Sequence, residues 1–410
     1  MIKLRKKIYA TASYNTRFFG PGSSDFTPES TMPGFLDYLK EAANGVCAQL
    51  ENSNFDEAYI ANFMGSRFIN QAHMGAFMPS IIPELNGKPT MRVEAACASG
   101  SMAIAAAVRS ILSDMADSVF VCGLEIQNTC KPLYGADILA GAAYHEGQRK
   151  DGHAFFFPGL FSDRAGAYFK KYGQEESRSA MALWYQQAIE NAKHYTKAQE
   201  YSNQTMDLYK QAMLPPSETS FLEHLTPYDC SKISDGASAI VICSAEGLEK
   251  LGKQKYQAVE ISSILSSVED ITEMPSDLTV LSNTSLTAQR FFHENNLRDE
   301  IAMLEIHDCF SITALLMLEA LGFASAGNAA ELISLGETKH TGKLPVNSSG
   351  GLIGFGHPTA ATGVRQLVDL HQQFTGSSEN NIQLKSNYGM MVNMGGNDKS
   401  VTMILIQKTN

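Results

Sequence analysis

Charge is scarce in this chain: Asp, Glu, Lys and Arg together make up only 18% of its 410 residues. What charge there is leans acidic, to a net −11, and no dense basic run offsets it, which excludes a general nucleic-acid binder. Long apolar runs are missing too, so no segment reads as a membrane span and no membrane insertion is expected. Cysteine is sparse and unpatterned. The seven cysteines are an odd number with no Cys-x-x-Cys pair, which argues against a disulfide framework or a zinc site and points to a reduced, cytoplasmic setting. His145 and His153 stand too isolated to suggest a metal site. The basic opening MIKLRKK is followed by neither an apolar core nor a small-residue cleavage site, so no signal peptide is expected. The closing Gln407-Lys408-Thr409-Asn410 does not form a peroxisomal address of the Ser-Lys-Leu kind.

What remains is an ordinary apolar content of 44% over a length that allows two or three domains, or one large pseudo-repeated unit. Ile8–Ser13, Ala58–Met64, Met91–Ala95 and Ser118–Gly123 read as strands. Phe35–Leu50, with apolar residues at 36, 39, 43, 46 and 50, reads as an amphipathic helix. This α/β alternation predicts βαβ units in a largely parallel sheet covered by helices on both faces. From Glu125 to Asp229 the chain turns aromatic and turn-rich around Phe155–Gly159, with a helix over Ser179–Gln199 carrying the only tryptophan, Trp184. It reads as a long insertion in a sheet connection. A strand at Ser238–Cys243 returns to the first sheet. A second block follows, with strands at Ala258–Leu265 and Ile301–Ile306 and helices around Ser285–Asn295 and Ser311–Leu321. It closes with a helix at Ala361–Phe374 and strands at Gly389–Asn393 and Ser400–Gln407. The expected organisation is an N-terminal half (1–124), the insertion (125–229), a return to the first half (230–254) and a C-terminal half (255–410). RVEAACASGS and MLEIHDCFSI both run from an apolar strand through a glutamate to a cysteine at a helix start, which suggests that the halves repeat one another.

Four stretches carry chemistry. Cys97 falls at a strand-to-helix junction, where free N–H groups and the helix dipole favour thiolate over thiol. Alone it reads rather as a small core residue. His307-Asp308-Cys309-Phe310 sits directly after a strand, where α/β sheets place ligands. Four glycines, Gly356 among them, crowd His357 in a loop able to bring backbone close to a ligand, and an imidazole there suits proton exchange with a thiol. Asn393-Met394-Gly395-Gly396 can direct backbone N–H groups at an oxyanion.

Ala96-Cys97-Ala98-Ser99-Gly100, His307-Asp308-Cys309-Phe310, Gly356-His357-Pro358 and Gly395-Gly396 occur in the order and spacing of the thiolase superfamily, which the chain resembles over essentially its whole length. The resemblance implies the thiolase fold: two pseudo-repeated βαβαβαββ halves in a five-layered αβαβα core. It also implies acyl-CoA thiolase chemistry, an acyltransferase that cleaves 3-ketoacyl-CoA or runs the reverse Claisen condensation. The Cys-x-Gly-Gly cysteine of familiar thiolases is replaced by Asn393, whereas the His-Asp-Cys-Phe form is typical of the sterol carrier protein type. By resemblance Cys97 carries the acyl group, His357 keeps it as thiolate and Cys309 is the second acid/base. His307 with His357 would form one oxyanion hole, and the N–H groups of Cys97 and Gly395 the other. Ser231 falls where thiolases contact pantetheine. The stretch Met64–Met78 could line the acyl pocket, with Met78 its candidate, or a subunit interface, or plain core. Candidate cations for CoA are Lys131, Arg149, Lys150, Arg164, Lys170 and Lys171. No metal or redox cofactor is implied, CoA and acyl-CoA being substrates, and a homodimer or homotetramer is expected. Two departures stand out: Ala360 replaces a loop glycine, which could narrow the pocket, and Asn397 ends the glycine run. Other readings are a hydroxymethylglutaryl-CoA synthase-like or ketoacyl synthase-like condensing enzyme, a secondary-metabolite acyltransferase, or an inactive lipid-binding scaffold. A cysteine α/β-hydrolase fits poorly, since Ala95 and Ser99 stand where its elbow glycines belong.

Overall fold

A computed structural model describes residues 4–27, 32–149, 153–217 and 221–409; Lys150 and the extreme termini lie outside them. The strands are β1 (Tyr9–Asn15), β2 (Glu57–Ala61), β3 (Thr90–Val93), β4 (Ser118–Glu125), β5 (Gly236–Cys243), β6 (Ala258–Val268), β7 (Ile301–Glu305), β8 (Tyr388–Gly395) and β9 (Ser400–Lys408). They form one sheet in the order β3-β2-β4-β5-β1-β6-β9-β8-β7, whose halves meet where β1 pairs with β6. Only β2–β3, β2–β4 and β7–β8 run parallel. The other five pairings are antiparallel, so the expected largely parallel sheet is instead mixed. For the β8–β9 pair the reason is local: β8 turns straight into β9 through Gly395–Asp398, and a tight turn can only return the chain antiparallel.

The principal helices are α1 (Phe35–Cys47), α2 (Ser99–Leu112), α3 (Pro132–Leu139), α4 (Phe156–Tyr172), α5 (Gln174–Ala192), α6 (Ser282–Asn295), α7 (Ser311–Ala320) and α8 (Thr362–Thr375). Strand pleating sends alternate residues to opposite faces and so builds separate cores. Ile60, Phe120 and Val241 pack with Leu39 and Val46 of α1 in one. Tyr59, Val121, Met391 and Ile404 pack with Ile104 of α2 and Val364 of α8 in a second. Met390, Val392 and Met403 pack with Phe291 of α6 and Leu315 of α7 in a third. The layers therefore run α, β, α, β, α, with α2 and α8 buried between the sheet halves. Those two helices approach closely: a Cβ on Gly100 would come 2.8 Å from the Val364 nitrogen.

The order of strands corrects the proposed repeat. From the centre outward the first half runs β1-β5-β4-β2-β3, and the second runs β6-β9-β8-β7, with Val346 bridged parallel to Leu304 beyond β7. Thus β7 matches β2, and the Val346 bridge, followed by α8, matches β3, followed by α2. The Cys309 segment is not the symmetry mate of the Cys97 segment, although both reach the same cavity.

Beyond Glu125, which ends β4, no strand lies among the described residues of the insertion, 126–229. Its aromatic stretch is a helix, however, because Pro158 lies in the first turn of α4, where backbone N–H groups have no helical partner to lose. The Trp184 helix begins earlier and ends earlier than the sequence suggests, bounded by Gly173 with φ 104°. No helix among the described residues is long and apolar enough to cross a membrane.

Candidate active site

Cys97 stands two residues before α2, on a loop held by side chains. Ala96 adopts φ 53°, a left-handed conformation costing about 1–3 kcal/mol for a residue with a Cβ. Glu94 accepts from the Ala96 N–H at 2.6 Å, and Ser99 Oγ accepts from the Ala95 N–H at 2.9 Å. Across from it, Asn347 clamps the end of β7, accepting from the Ile306 N–H at 2.8 Å and donating to its carbonyl at 3.2 Å. Asp308 accepts from the Leu352 N–H at 2.7 Å and from Trp184 Nε1 at 3.0 Å. The one tryptophan therefore ties the insertion to the His307–Phe310 segment, and burial raises the Asp308 carboxyl to about 6.

Cys97 Sγ and one ring nitrogen each of His307 and His357 lie within 4.8 Å of one another. The two imidazoles meet edge to face, centroids 5.2 Å apart. His357 Nδ1 lies 2.6 Å from Thr362 Oγ1, and that hydroxyl donates its own hydrogen to the Pro358 carbonyl at 3.4 Å. Thr362 therefore accepts Nδ1–H, and Nε2 of His357 carries the lone pair. Burial, with the Arg365 guanidinium behind it, holds His357 down to about 3. Burial, His357 and Arg365 likewise hold His307 well below its ordinary value. Both rings are neutral imidazoles.

The thiol does not behave as the helix start alone suggests. Burial pushes Cys97 up to about 12, Glu125 adds to the rise, and the N–H groups of Gly396 and of Cys97 itself only partly oppose it. The resting pair is thus a thiol beside a neutral imidazole, not a thiolate–imidazolium pair; desolvation outweighs the helix dipole. The N–H groups that reach Cys97 Sγ are those of Gly396 and of Cys97 itself. Gly395, whose N–H the resemblance assigns to an oxyanion hole, also serves the packing. Its bare Cα lets β8 lie against the nucleophile loop, since a Cβ there would come 2.5 Å from the Ala95 carbonyl.

These groups open onto a cavity of about 280 Å³ that also takes in Cys309, Ser231 and Lys232. Its walls are apolar, with Phe63, Phe155, Phe157, Phe161, Phe221 and Phe310 around it; Phe161 stacks on Phe310 at 4.5 Å. Cys309 faces Thr313 Oγ1 at 3.7 Å, and its carbonyl accepts from the Ser231 N–H at 2.9 Å. Burial above all pushes its thiol well up.

Several expected residues lie elsewhere. Met78 is fully buried in the core beneath α1, on the far face of the first half-sheet, so it is packing and not pocket. Phe63 is the residue from that region that lines the cavity. Gly356 lies behind the wall, where a Cβ would meet Gln199 and Ser234 at 2.9 and 3.0 Å. Ala360 packs in the middle core and leaves the pocket face to Thr359, so it does not narrow the cavity. Arg164 is buried, donating to Asn397 at 2.8 Å and to the Leu278 and Val280 carbonyls at 2.9 Å, so it is a structural clamp. Arg149 pairs with Asp137 at 3.0 Å, and Lys171 with Asp277 at 3.2 Å. Lys131 and Lys170 do not line the cavity; Lys232, which no motif in the chain marks, does. His145 and His153 face Asp137 and Asp163 at the surface.

Glu125, at the end of β4, carries no sequence signal either. It accepts from the N–H groups of Phe63 and Met64 at 2.8 and 3.1 Å, from Asn62 Nδ2 at 3.0 Å and from Thr359 Oγ1 at 3.0 Å. It thereby joins the first half-sheet to the His357 loop, and burial raises it to about 7. A raised carboxyl favours folding below its ordinary range, and that contribution is lost as pH rises through 7. Above 7 its charge also opposes Cys97 ionisation. Glu125→Gln should therefore alkylate faster at Cys97 above pH 7 and lose the stability decline between pH 5 and 8, read by iodoacetamide kinetics and urea unfolding. Equal alkylation rates would separate Glu125 from the thiol.

A thiol in a bent strand-to-helix loop, two imidazoles against it and a five-layered α/β core define the class of protein to which the sequence pattern pointed. Residues 41–246 match the family described as thiolase, N-terminal domain, and residues 265–408 match thiolase C-terminal domain-like. The chain belongs to the thiolase family. It is 31% identical over 366 residues to an acetyl-CoA acetyltransferase of Methanothermobacter thermautotrophicus, covering 88% of this chain and 91% of that one. It is 28% identical over 398 residues to human sterol carrier protein 2, covering 91% of this chain and 67% of that protein. In three dimensions it resembles human mitochondrial 3-ketoacyl-CoA thiolase solved with CoA, with TM-score 0.69 and 17% identity over 100% of this chain and 99% of that one.

Proposed function

We propose that the protein is an acyl-CoA thiolase of the sterol carrier protein type, with Cys97 as acyl carrier. One observation carries this reading: Cys97, His307 and His357 converge within 4.8 Å, on the same cavity that Cys309 lines. As Cys97 Sγ attacks the thioester carbonyl, His357 Nε2 takes its proton, and CoA leaves as the thiol by receiving that proton back. The acyl-enzyme oxygen lies between the N–H groups of Cys97 and Gly396, and His307 donates to the oxygen of the second thioester. In cleavage the Cys309 thiol gives its proton to the α-carbon as acetyl-CoA departs. In condensation its thiolate, its proton having passed to solvent, takes that α-proton, the carbanion displaces Cys97 from the acyl carbonyl, and the Cys97 thiolate regains a proton. Because the acyl carrier, the bases and the oxygen-binding donors are all protein groups, this scheme needs no metal or redox cofactor, CoA and acyl-CoA being its substrates.

The test is incubation with acetyl-CoA, and with acetoacetyl-CoA plus CoA, followed by intact-mass and peptide mapping. An acyl adduct on Cys97 is the expected result; no adduct there with any acyl-CoA tried would sink the reading. Lys232 is the cation on the cavity wall, so it is the side chain to meet a CoA phosphate. Lys232→Ala should raise KM for acyl-CoA by up to about tenfold, the worth of one partly exposed ion pair, with kcat nearly unchanged. Initial-rate kinetics decide this, and an unchanged KM would place the phosphates elsewhere.

We infer a homo-oligomer and a reducing, cytoplasmic setting. An edge strand, β3, with Met91 45% exposed, supports the first. Seven free cysteines support the second.

A further inference from the structure

The two imidazoles facing Cys97 differ in what holds their backs. His357 gives Nδ1–H to Thr362 and presents a lone pair at Nε2. His307 Nδ1 instead lies 3.1 Å from Asn393 Nδ2. An amide nitrogen can only donate, so His307 Nδ1 must accept, and the proton of this neutral ring then resides on Nε2. The strand places the amide there: pleating turns Asn393 away from Val392 and Met394, which pack against α6 and α7, and toward the middle layer between the half-sheets.

The amide's orientation has a cause in Gly363. Asn393 Oδ1 and the Ser101 nitrogen both lie 2.4 Å from the point where a Gly363 Cβ would stand. The carbonyl thus occupies space left by the missing side chain, on the side of a backbone N–H, and accepts no hydrogen bond there. Turned over, the amide would put its own NH₂ beside that N–H, donor against donor. Gly363 and the start of α2 therefore aim Nδ2 at His307.

We propose that Asn393 is a positioning residue that fixes His307 as the Nε2–H tautomer, so that the site holds two neutral imidazoles of opposite tautomer: His357 to accept a proton and His307 to donate a hydrogen bond. On this account the asparagine does more than mark the loss of a family cysteine. It supplies what His307 needs to serve as an oxyanion donor. The same protonation argues against a resident metal at the Cys97–His307–His357 trio, because ligation through Nε2 of His307 would first require that proton to leave.

The rate consequence rests on the thiolase reading, but the tautomer does not, and the experiment separates them. Long-range ¹H–¹⁵N spectra of the histidine-labelled full chain, with His307 assigned by its loss in His307→Asn, should show Nε2 protonated and Nδ1 bare. Asn393→Asp offers only an acceptor and should move the proton to Nδ1. It should lower kcat about 100-fold, the cost of one oxyanion donor, with KM for acyl-CoA little changed. A wild-type ring protonated at Nδ1 overturns the proposal outright and needs no variant to fold. A ring that stays protonated at Nε2 in Asn393→Asp overturns the role of Asn393, and a flipped ring with unchanged kcat overturns the role of the donor. If no acyl-CoA reacts at all, the thiolase reading falls, while the spectra still decide the tautomer.

Discussion

Cys97→Ala is expected to abolish acyl-enzyme formation and to cut kcat by at least about 10⁴-fold, while the chain folds normally. The size follows from removing the atom that carries the acyl group; losing one member of a nucleophile–base unit costs about as much as losing the whole unit. The residue is only half-buried and its loop is held by Glu94 and Ser99, so little packing is lost. Because burial leaves Cys97 as a thiol near neutrality, His357→Ala should approach the same loss, since the thiol then has no base within reach. Stopped-flow measurement of the acylation burst, with thermal unfolding as the control, decides both. A burst that survives in Cys97→Ala would place the acyl group on another side chain.

Cys309→Ala is expected to uncouple the two half-reactions. Acylation of Cys97 by acetyl-CoA should proceed near the wild-type rate, whereas carbon–carbon bond formation and cleavage should fall about 10²–10⁴-fold, the usual worth of a positioned acid or base. Burial is the first cause that holds the Cys309 thiol up, so in condensation it must lose its own proton before it can act as the base. In cleavage its raised value keeps it protonated and ready to supply the α-carbon proton. Solvent exchange of the methyl protons of acetyl-CoA, catalysed by the wild type and lost in Cys309→Ala, would show the step directly. Full activity in both directions without Cys309 would instead favour a condensing enzyme with a single Cys/His pair.

The sequence was legible where chemistry is local. Cys97, His307, Cys309 and His357 sit in short runs whose neighbours announce them, and all four reach one cavity. Strands β4, β5, β8 and β9 were legible because each is a compact apolar run. Met78 was misplaced because an apolar residue looks the same whichever side of a sheet it packs on, and its side was decided by α1. Arg164 was misplaced because a cation is exposed by default, and only the Leu278 and Val280 carbonyls, more than a hundred residues away, make its burial possible. The repeat was misaligned because two strand–glutamate–cysteine runs look alike in sequence while strand order alone fixes which is the mate of which.

The sequence by itself determined the α/β character, the family and the four side chains that meet at the cavity, since each rests on residues within a few positions of one another. The tertiary structure decided their protonation. Whether Cys97 rests as thiol or thiolate turned on burial and Glu125. The nitrogen that carries the proton turned on Thr362 for His357, and for His307 on Asn393, 86 residues away. A proton's position depends on the few ångströms around it, and in this fold those ångströms are filled by segments far apart in the chain.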